Sequence, residues 1–285
     1  MQFGICSDPK LLRRHKEVGD LEDFLGRLTK AGVDYLEFSV GAVMTSDADF
    51  ASLRELVTAA GLPVPAFNGF LPAAQRITGP EVDLGSVLGY CQTALDRCCC
   101  LGGEVVVLGS AGARRVPAGF DLGRAERQFC EFCRALGPIA EDAGLDIAIE
   151  PLNSQEDNLV LSVTQGARLV EEIGHPRIRL LADLYHMTEE HEPVNAVVDA
   201  GPFLRHTHLA DLGRVAPGYA ANGEADFVGF FRGLQAGGYA DQPDARSSFE
   251  GKLEDLDTQV GPMMRLLQAR WWESVREQAL SAVAA

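Results

Sequence analysis

Short apolar runs alternate with amphipathic stretches along the whole chain, and this rhythm constrains the fold more than any other feature of the sequence. Eight apolar runs have the length and composition of buried β-strands, at 2–6, 34–40, 64–68, 104–109, 145–150, 178–183, 204–209 and 246–250. Eight amphipathic stretches have helical spacing, at 20–31, 48–60, 84–101, 121–143, 162–174, 192–200, 226–237 and 253–281. Six glycines stand where these helices should end, as expected of helix C-caps: Gly32, Gly61, Gly102, Gly144, Gly174 and Gly201.

Eight strands that alternate with eight helices, about 30 to 40 residues apart, predict a (β/α)₈ barrel. An open, doubly wound sheet is the alternative, and such a sheet normally has a glycine-rich phosphate-binding turn after its first strand. The turn here reads SDPK, which is no such motif. A (β/α)₈ barrel takes roughly 250 residues, and the chain has 285 with no linker or low-complexity block. We therefore predict a single TIM-barrel domain over residues 1–285.

The overall charge and the apolar runs limit the partners that the protein can have. The formal net charge is −16 at pH 7, and such a field repels polyanions, whose phosphate contacts dominate nucleic-acid affinity. No apolar run approaches the ~20 residues of a membrane span, and the first ten residues lack the layout of a signal peptide. We expect a cytoplasmic protein with no nucleic-acid or membrane partner, and the seven cysteines suit reduced thiols.

Two groups of cysteines could suggest a metal or redox site. Cys98, Cys99 and Cys100 are consecutive in a helical stretch, where adjacent residues point to different sides. Cys130 and Cys133 form a CxxC inside another helical stretch, with no second pair nearby in sequence. We predict that these five residues are buried small apolar residues rather than metal ligands.

Candidate ligands collect at the carboxyl ends of the later strands, which line one mouth of a (β/α)₈ barrel. The fifth strand ends in Glu150, the sixth in Asp183 and the eighth in Glu250, and the seventh carries His208 near its end. Three carboxylates and an imidazole suit a hard or borderline divalent cation. We predict one divalent metal ion at this mouth, with Mn²⁺ expected and Mg²⁺, Co²⁺ or Zn²⁺ as alternatives.

Two further residues leave alternatives open. His206 lies on the same strand face as His208, so spacing alone does not decide between them, and we prefer His208 because it is nearer the end of the strand. Glu37, near the end of the second strand, either faces the mouth or is a polar residue hydrogen-bonded inside the barrel.

The loops after these strand ends carry further polar residues. Glu156, His186 and Arg214 follow the fifth, sixth and seventh strands. The guanidinium of Arg214 is suited to substrate oxygens, and a solvated loop charge is the alternative reading. Glu156 as a solvated acid and His186 as a surface residue at a helix N-terminus are the corresponding alternatives.

A metal ion beside two carboxylates is compatible with proton transfer next to a ketone, the chemistry of the family that the sequence motifs below resemble. The cation would stabilise the enediolate that forms when the proton alpha to the carbonyl leaves. Carboxylates on opposite faces of that carbon would remove and return a proton from different sides, which inverts the carbon. If a carboxylate acted on one face of the substrate alone and moved the proton to the adjacent carbon, the result would be aldose–ketose isomerisation.

The segments around these residues resemble a known family. EPLNSQEDN (150–158), DLYHMTEE (183–190), HTHLADLGRVAPGYAANGEADFVGFF (206–231) and SFE (248–250) look like those of the xylose-isomerase-like (β/α)₈ superfamily, and within it of the D-tagatose or D-psicose 3-epimerase group. The resemblance implies a metal-dependent ketose 3-epimerase with a small ketose or related polyol as substrate. The six-residue spacing of His208 and Arg214 matches the family motif and supports His208 over His206.

By position, the resemblance implies three sets of site residues. Glu150, Asp183, His208 and Glu250 would bind the metal, and Glu150 and Glu250 would also be the acid/base pair. Glu156, His186 and Arg214 would hold the carbonyl end of the sugar.

Other functions share part of this framework. The alternatives are an aldose–ketose isomerase of the hydroxypyruvate, inosose or sugar-phosphate type, an endonuclease-IV-like metal nuclease, a glycosidase with two carboxylates, and a barrel that binds sugar without turnover. The six histidines and the charge of −16 speak against the nuclease. Trp271 and Trp272, in the last predicted helix, would pack either against a partner subunit, as in a homo-oligomer, or against the barrel of their own chain.

Overall fold

The structure, a computed structural model, describes residues 1–284. Its eight strands are β1 Gln2–Ser7, β2 Tyr35–Ser39, β3 Ala66–Asn68, β4 Val105–Leu108, β5 Asp146–Ile149, β6 Ile178–Asp183, β7 Leu204–Leu209 and β8 Arg246–Phe249. Successive strands pair in sequence order, and β8 pairs in parallel with β1, which closes the sheet. The predicted (β/α)₈ barrel is confirmed.

The eight predicted helices are present, with ends that differ by a few residues. They are α2 Leu21–Ala31, α4 Asp47–Ala60, α5 Leu84–Cys100, α7 Leu122–Ala143, α8 Val163–Ile173, α10 Asn195–Ala200, α11 Phe227–Ala236 and α12 Leu256–Ala284. Four further helices directly follow β1, β2, β4 and β6: α1 Pro9–Val18, α3 Val40–Val43, α6 Ala111–Arg114 and α9 Leu184–Glu189. All four lie at the carboxyl ends of strands, so the mouth has more helical structure than the sequence analysis predicted.

The apolar core has two parts. The larger part lies between the strands and the surrounding helices. The smaller part fills the inside of the barrel and consists of six buried side chains: Tyr35, Ala66, Val105, Val107, Ala148 and Leu181. Because successive residues of a strand point to opposite faces, the next inward-facing position toward the mouth lies two residues further along. On β2, β3, β5 and β6 this position carries a polar side chain, and these four side chains belong to the site described below: Glu37, Asn68, Glu150 and Asp183.

The glycine predictions hold for helix ends with one exception. Five of the six predicted glycines have positive φ, the left-handed conformation that suits glycine at a helix end. Gly201 has a φ of −44° and begins a 3₁₀ turn, Gly201–Phe203. A side chain at Gly201 would collide with the backbone carbonyl of Gly237, so close packing explains this glycine.

The cysteine prediction is correct for three residues and wrong for two. Cys98, Cys130 and Cys133 are buried, but Cys99 and Cys100 are exposed. The reason is that α5 turns only one face toward the barrel, so three consecutive helix positions cannot all be buried.

The last helix packs against its own barrel. The ring of Trp271 meets that of Phe231 edge to face, with 5.7 Å between the ring centroids. Trp272 points outward and is 60% exposed. Within residues 1–284, no helix combines the length and the apolar character that crossing a bilayer requires.

A fully buried ion pair ties the loop after β5 to the end of β4. The Arg114 guanidinium lies 2.7 Å from the Asp157 carboxylate, and both side chains are inaccessible to solvent. Arg114 also donates to the backbone carbonyl oxygens of Leu108 and Val160. Because Asp157 is next to Glu156, this pair fixes the course of the loop that carries Glu156.

We expect the substitution Asp157→Asn to destabilise the fold by about 3–5 kcal/mol, because it leaves the Arg114 charge buried without a counter-charge. Denaturant unfolding followed by circular dichroism would measure this loss. Asp47→Asn is the matched control: Asp47 also lies 2.7 Å from an arginine, Arg97, but its side chain is fully exposed. The control should change stability by less than about 1 kcal/mol, and equal losses in the two variants would contradict the prediction.

Candidate metal centre and active site

The four predicted ligands come together at the mouth of the barrel. Glu150 directly follows β5, Asp183 ends β6, His208 is the penultimate residue of β7 and Glu250 directly follows β8. The strand register aligns them, because Asp183 pairs with His208 across β6 and β7, and His208 pairs with Ser248 across β7 and β8. One ligand atom of each of the four residues lies within 4.8 Å of the others.

His208 is the centre of this cluster. Its Nδ1 lies 2.9 Å from Glu150 Oε1 and 3.7 Å from Glu250 Oε2. On the other side of the ring, Nε2 lies 3.0 Å from Glu37 Oε1. Burial alone lowers the pKa of His208, but the charges of these three carboxylates outweigh burial and raise it well above the usual value.

The two carboxylates beside His208 Nδ1 have opposite pKa shifts. Burial raises the pKa of Glu150, but the charge and hydrogen bond of His208 outweigh it and leave the pKa below its usual value. Burial also raises the pKa of Glu250, and there the charge of Glu150 adds to the effect while His208 opposes it. The pKa of Glu250 is therefore above its usual value, so the two acids are chemically distinct.

The donor set fits a divalent cation. Asp183 Oδ2 is buried and has no hydrogen-bond partner among the described residues, although a buried carboxylate oxygen normally has one. Together with the oxygens of Glu150 and Glu250 and the Nδ1 of His208, it provides three hard oxygen ligands and one imidazole nitrogen. Such a set suits Mn²⁺, Mg²⁺, Co²⁺ or Zn²⁺ better than it suits a thiophilic ion.

His206 and Glu37 lie deeper in the barrel than this cluster. His206 is fully buried, and its Nε2 lies 2.8 Å from Glu37 Oε2. Burial lowers the pKa of His206, and the charge of Glu37 only partly opposes this shift. Of the two readings of Glu37, hydrogen bonding inside the barrel is the one observed. His206 is not in the four-residue cluster.

His186 presents a free ring nitrogen to the site. Its Nδ1 accepts hydrogen bonds from the backbone N–H and the side-chain amide of Asn153, at 3.2 and 2.9 Å. The proton of a neutral ring must then be on Nε2, which is buried, has no hydrogen-bond partner among the described residues and lies 3.7 Å from Asp183 Oδ2. His186 is thus arranged to donate to a ligand at the mouth. Its reading as a surface residue was wrong, because the side chain is buried.

Arg214 connects the loops after β5 and β8. Its guanidinium lies 3.1 Å from Glu156 Oε1 and 2.5 Å from Glu250 Oε2, and its carbon atom lies 5.3 Å from the ring centroid of Tyr185. The backbone of Arg214 has a φ of 59°, an uncommon conformation for a residue with a side chain. Arg214 is therefore held in the mouth by two carboxylates rather than solvated in a loop.

Two residues from the early strands complete the mouth, and the sequence analysis did not assign them. Asn68, the last residue of β3, donates to Glu250 Oε1 at 3.4 Å. Gly109, directly after β4, leaves the space that the Glu150 carboxylate occupies, since a side chain there would collide with it. Both stand at the end of a predicted strand, so extending the strand-end argument to the early strands would have found them.

Comparisons with known proteins identify the family model and the relatives that this chain resembles. The family model described as xylose isomerase-like TIM barrel matches residues 25–250. The chain is 30% identical to the L-ribulose 3-epimerase of Mesorhizobium japonicum, over 83% of this chain and 78% of that protein. It is 26% identical to the D-psicose 3-epimerase of Ruminiclostridium cellulolyticum, over 70% and 69%. A solved structure of L-ribulose 3-epimerase superposes with a TM-score of 0.78 at 22% identity, over 99% and 98% of the two chains.

Proposed function

The chain belongs to the xylose isomerase-like TIM barrel family, and from this premise we propose that it is a metal-dependent sugar epimerase that inverts carbon 3 of a ketose. The family that the sequence motifs implied is thereby confirmed, together with its similarity to ketose 3-epimerases. Sugar epimerisation follows from these relatives, because the matched part of this chain covers 78% and 69% of their lengths. The choice of carbon 3, and the residues that act there, are the proposal.

One observation carries the proposal: Glu150 and Glu250 both approach the Nδ1 of His208, at 2.9 and 3.7 Å. Two carboxylates around one ligand position can serve two faces of a substrate carbon. In the proposed reaction, one carboxylate takes the proton from carbon 3, the bonding electrons form a double bond to carbon 2, and the π electrons of the carbon-2 carbonyl move onto its oxygen. These electrons re-form the carbonyl when carbon 3 is reprotonated. The other carboxylate then delivers a proton to the opposite face, and the carbon is inverted.

The proposed ligands of a divalent cation are Glu150, Asp183, His208 and Glu250, with Mn²⁺ as the expected ion. Such a cation supplies electrostatic stabilisation of the negative charge that develops on the substrate oxygens. The unpartnered Asp183 oxygen and the oxygen-rich donor set support this proposal.

We assign the carbonyl end of the ketose to Glu156, His186 and Arg214. The free Nε2–H of His186 is a neutral donor for a substrate oxygen. Arg214 and Glu156 lie 3.1 Å apart and offer a donor fork and an acceptor side by side, a combination that suits the hydroxyl and carbonyl oxygens of a sugar. Because Arg214 also contacts Glu250, substrate oxygens would have to replace part of this contact when the sugar binds.

The test is hydrogen exchange into a ketose in deuterated water. We expect the protein loaded with Mn²⁺ to incorporate solvent deuterium at carbon 3 of L-ribulose, D-psicose or D-tagatose and to form the carbon-3 epimer, both visible by NMR. The corresponding ketose phosphates should be compared in the same panel. Deuterium at carbon 1 with an aldose as product would instead identify an aldose–ketose isomerase, and a bound ketose without exchange would identify a binding protein.

A further inference from the structure

Glu37 lies behind the metal cluster and touches it only through His208. Its side chain is fully buried, and each of its carboxylate oxygens is within hydrogen-bond distance of a different histidine. Oε1 lies 3.0 Å from His208 Nε2, and Oε2 lies 2.8 Å from His206 Nε2. Oε2 also accepts the hydroxyl hydrogen bond of Ser248, at 2.6 Å.

These contacts hold a proton on Nε2 of His208. An ionised carboxylate only accepts hydrogen bonds, so a group this close to Glu37 must donate. The same rule makes Ser248 a donor to Glu37, and Tyr35, whose hydroxyl lies 2.9 Å from that of Ser248, must then donate to Ser248. His208 Nε2 therefore carries a proton. By the same rule Nδ1, which lies 2.9 Å from Glu150 Oε1, donates in the metal-free protein; a cation in the cluster would replace that second proton, and Nδ1 would then have the lone pair.

Nδ1 points to the side where a metal ion would be. Nδ1 is the atom that lies 2.9 Å from Glu150 and 3.7 Å from Glu250. A histidine with the opposite tautomer would present an N–H to the cation and could not be a ligand. In metal sites, a carboxylate on the far nitrogen of a ligating histidine both fixes the tautomer and makes the ligating nitrogen more basic.

We propose that Glu37 is a positioning residue of the metal centre, which holds the Nε2–H tautomer of His208 and so makes Nδ1 available to the divalent cation. This inference rests on the proposed function, since it takes the four-residue cluster to be a metal site. It assigns a role in metal affinity to a residue of β2, on the opposite side of the barrel from β5 and β6.

The same residues offer one rival arrangement. The ligand atoms of Cys6, Glu37 and His208 also lie within 4.8 Å of one another. An ion there would take His208 through Nε2 and would have a thiolate ligand, which would place it on the other side of the imidazole. The proposed site requires the His208 proton on Nε2, and the rival site requires it on Nδ1. The two arrangements therefore exclude each other.

Cobalt binding to purified apoprotein tests the proposal without any turnover. We expect Glu37→Gln, which keeps the size but removes the charge, to weaken Co²⁺ binding about 10- to 100-fold in calorimetry. Ser248→Ala is the matched control, because it removes one hydrogen bond to Glu37 and leaves both histidine contacts; it should stay within about threefold of the unmodified protein. An equal loss in both variants, or unchanged affinity in Glu37→Gln, would overturn the role of Glu37.

Two spectra on the unmodified protein keep the test independent of how the variants fold. Long-range ¹H–¹⁵N correlation of the Zn²⁺-loaded protein, with His208→Asn for assignment, should show His208 protonated at Nε2. A thiolate-to-Co²⁺ charge-transfer band that disappears in Cys6→Ser would place the ion on the rival side and overturn the proposal. If the unmodified protein binds no Co²⁺ at all, the proposed function is contradicted as well. Tight metal binding with His208 protonated at Nδ1 would contradict only the role of Glu37.

Discussion

Glu150→Gln and Glu250→Gln should each reduce ketose epimerisation by at least roughly 10²–10⁴-fold, the usual contribution of a general acid or base. Glutamine has the size of glutamate but cannot accept the proton from carbon 3. The fold should survive both changes, since both residues stand directly after a strand rather than inside one. Steady-state rates measured with excess Mn²⁺ would test the loss of turnover, and circular dichroism would test the fold.

The two variants should also differ in a way that plain loss of structure cannot produce. If each carboxylate serves one face of carbon 3, a variant retains the acid that removes and returns a proton on its own face. Glu150→Gln should then exchange the carbon-3 hydrogen of one epimer with deuterium, and Glu250→Gln that of the other, without net epimerisation. Exchange of the same epimer in both variants would refute the assignment of opposite faces.

Glu254→Gln is the matched control for this pair. Glu254 is exposed and lies four residues beyond Glu250, in the same segment after β8. The same chemical change at that position should leave the rate within about twofold of the unmodified protein. Near-normal turnover in Glu150→Gln or Glu250→Gln would show that the acid/base pair is assigned wrongly.

The barrel could be predicted because burial leaves a periodic trace in the sequence. Strands that are buried on both faces, such as β4 (VVVL), read as apolar runs, and the longer helices show one apolar stripe. β7 (LRHTHL) and β8 (RSSF) are buried as well but largely polar, so their place in the strand–helix alternation identifies them. The short helices α1, α3, α6 and α9 leave a weaker trace, since a helix of four to ten residues has only one to three turns in which to show a period. The mouth of the barrel, where they lie, is for this reason the part that sequence reasoning describes least well.

The metal ligands could be predicted because parallel strands bring their ends to one place. Glu150, Asp183 and Glu250 are acidic residues at the ends of predicted strands, and this pattern is visible without coordinates. Glu37 is different, because it lies within a run, and only the register of β2 shows that it points inward toward His206 and His208. Pairs that are remote in sequence, such as Arg114 and Asp157, leave no local signal at all.

Removal of metal should abolish epimerisation and lower thermal stability. Without a cation, three carboxylates lie close together in the cluster, and His208 and Arg214 offset only part of their charge. An ion that binds the folded state alone adds about 2.7 kcal/mol of stability at 100 times its dissociation constant. For a chain of this size, that corresponds to a fall in melting temperature of roughly 5 °C on treatment with a chelator.

Readdition experiments separate the metal effect from damage by the chelator. Mn²⁺ or Co²⁺ should restore both the rate and the melting temperature, whereas K⁺ at the same ionic strength should restore neither. Asp183→Asn is the sharpest companion variant, because it removes charge from the cluster but leaves both proposed acid/base residues in place. It should melt at nearly the same temperature with and without Mn²⁺. If the melting temperature of the unmodified protein changes with neither chelator nor Mn²⁺, the cluster binds no ion.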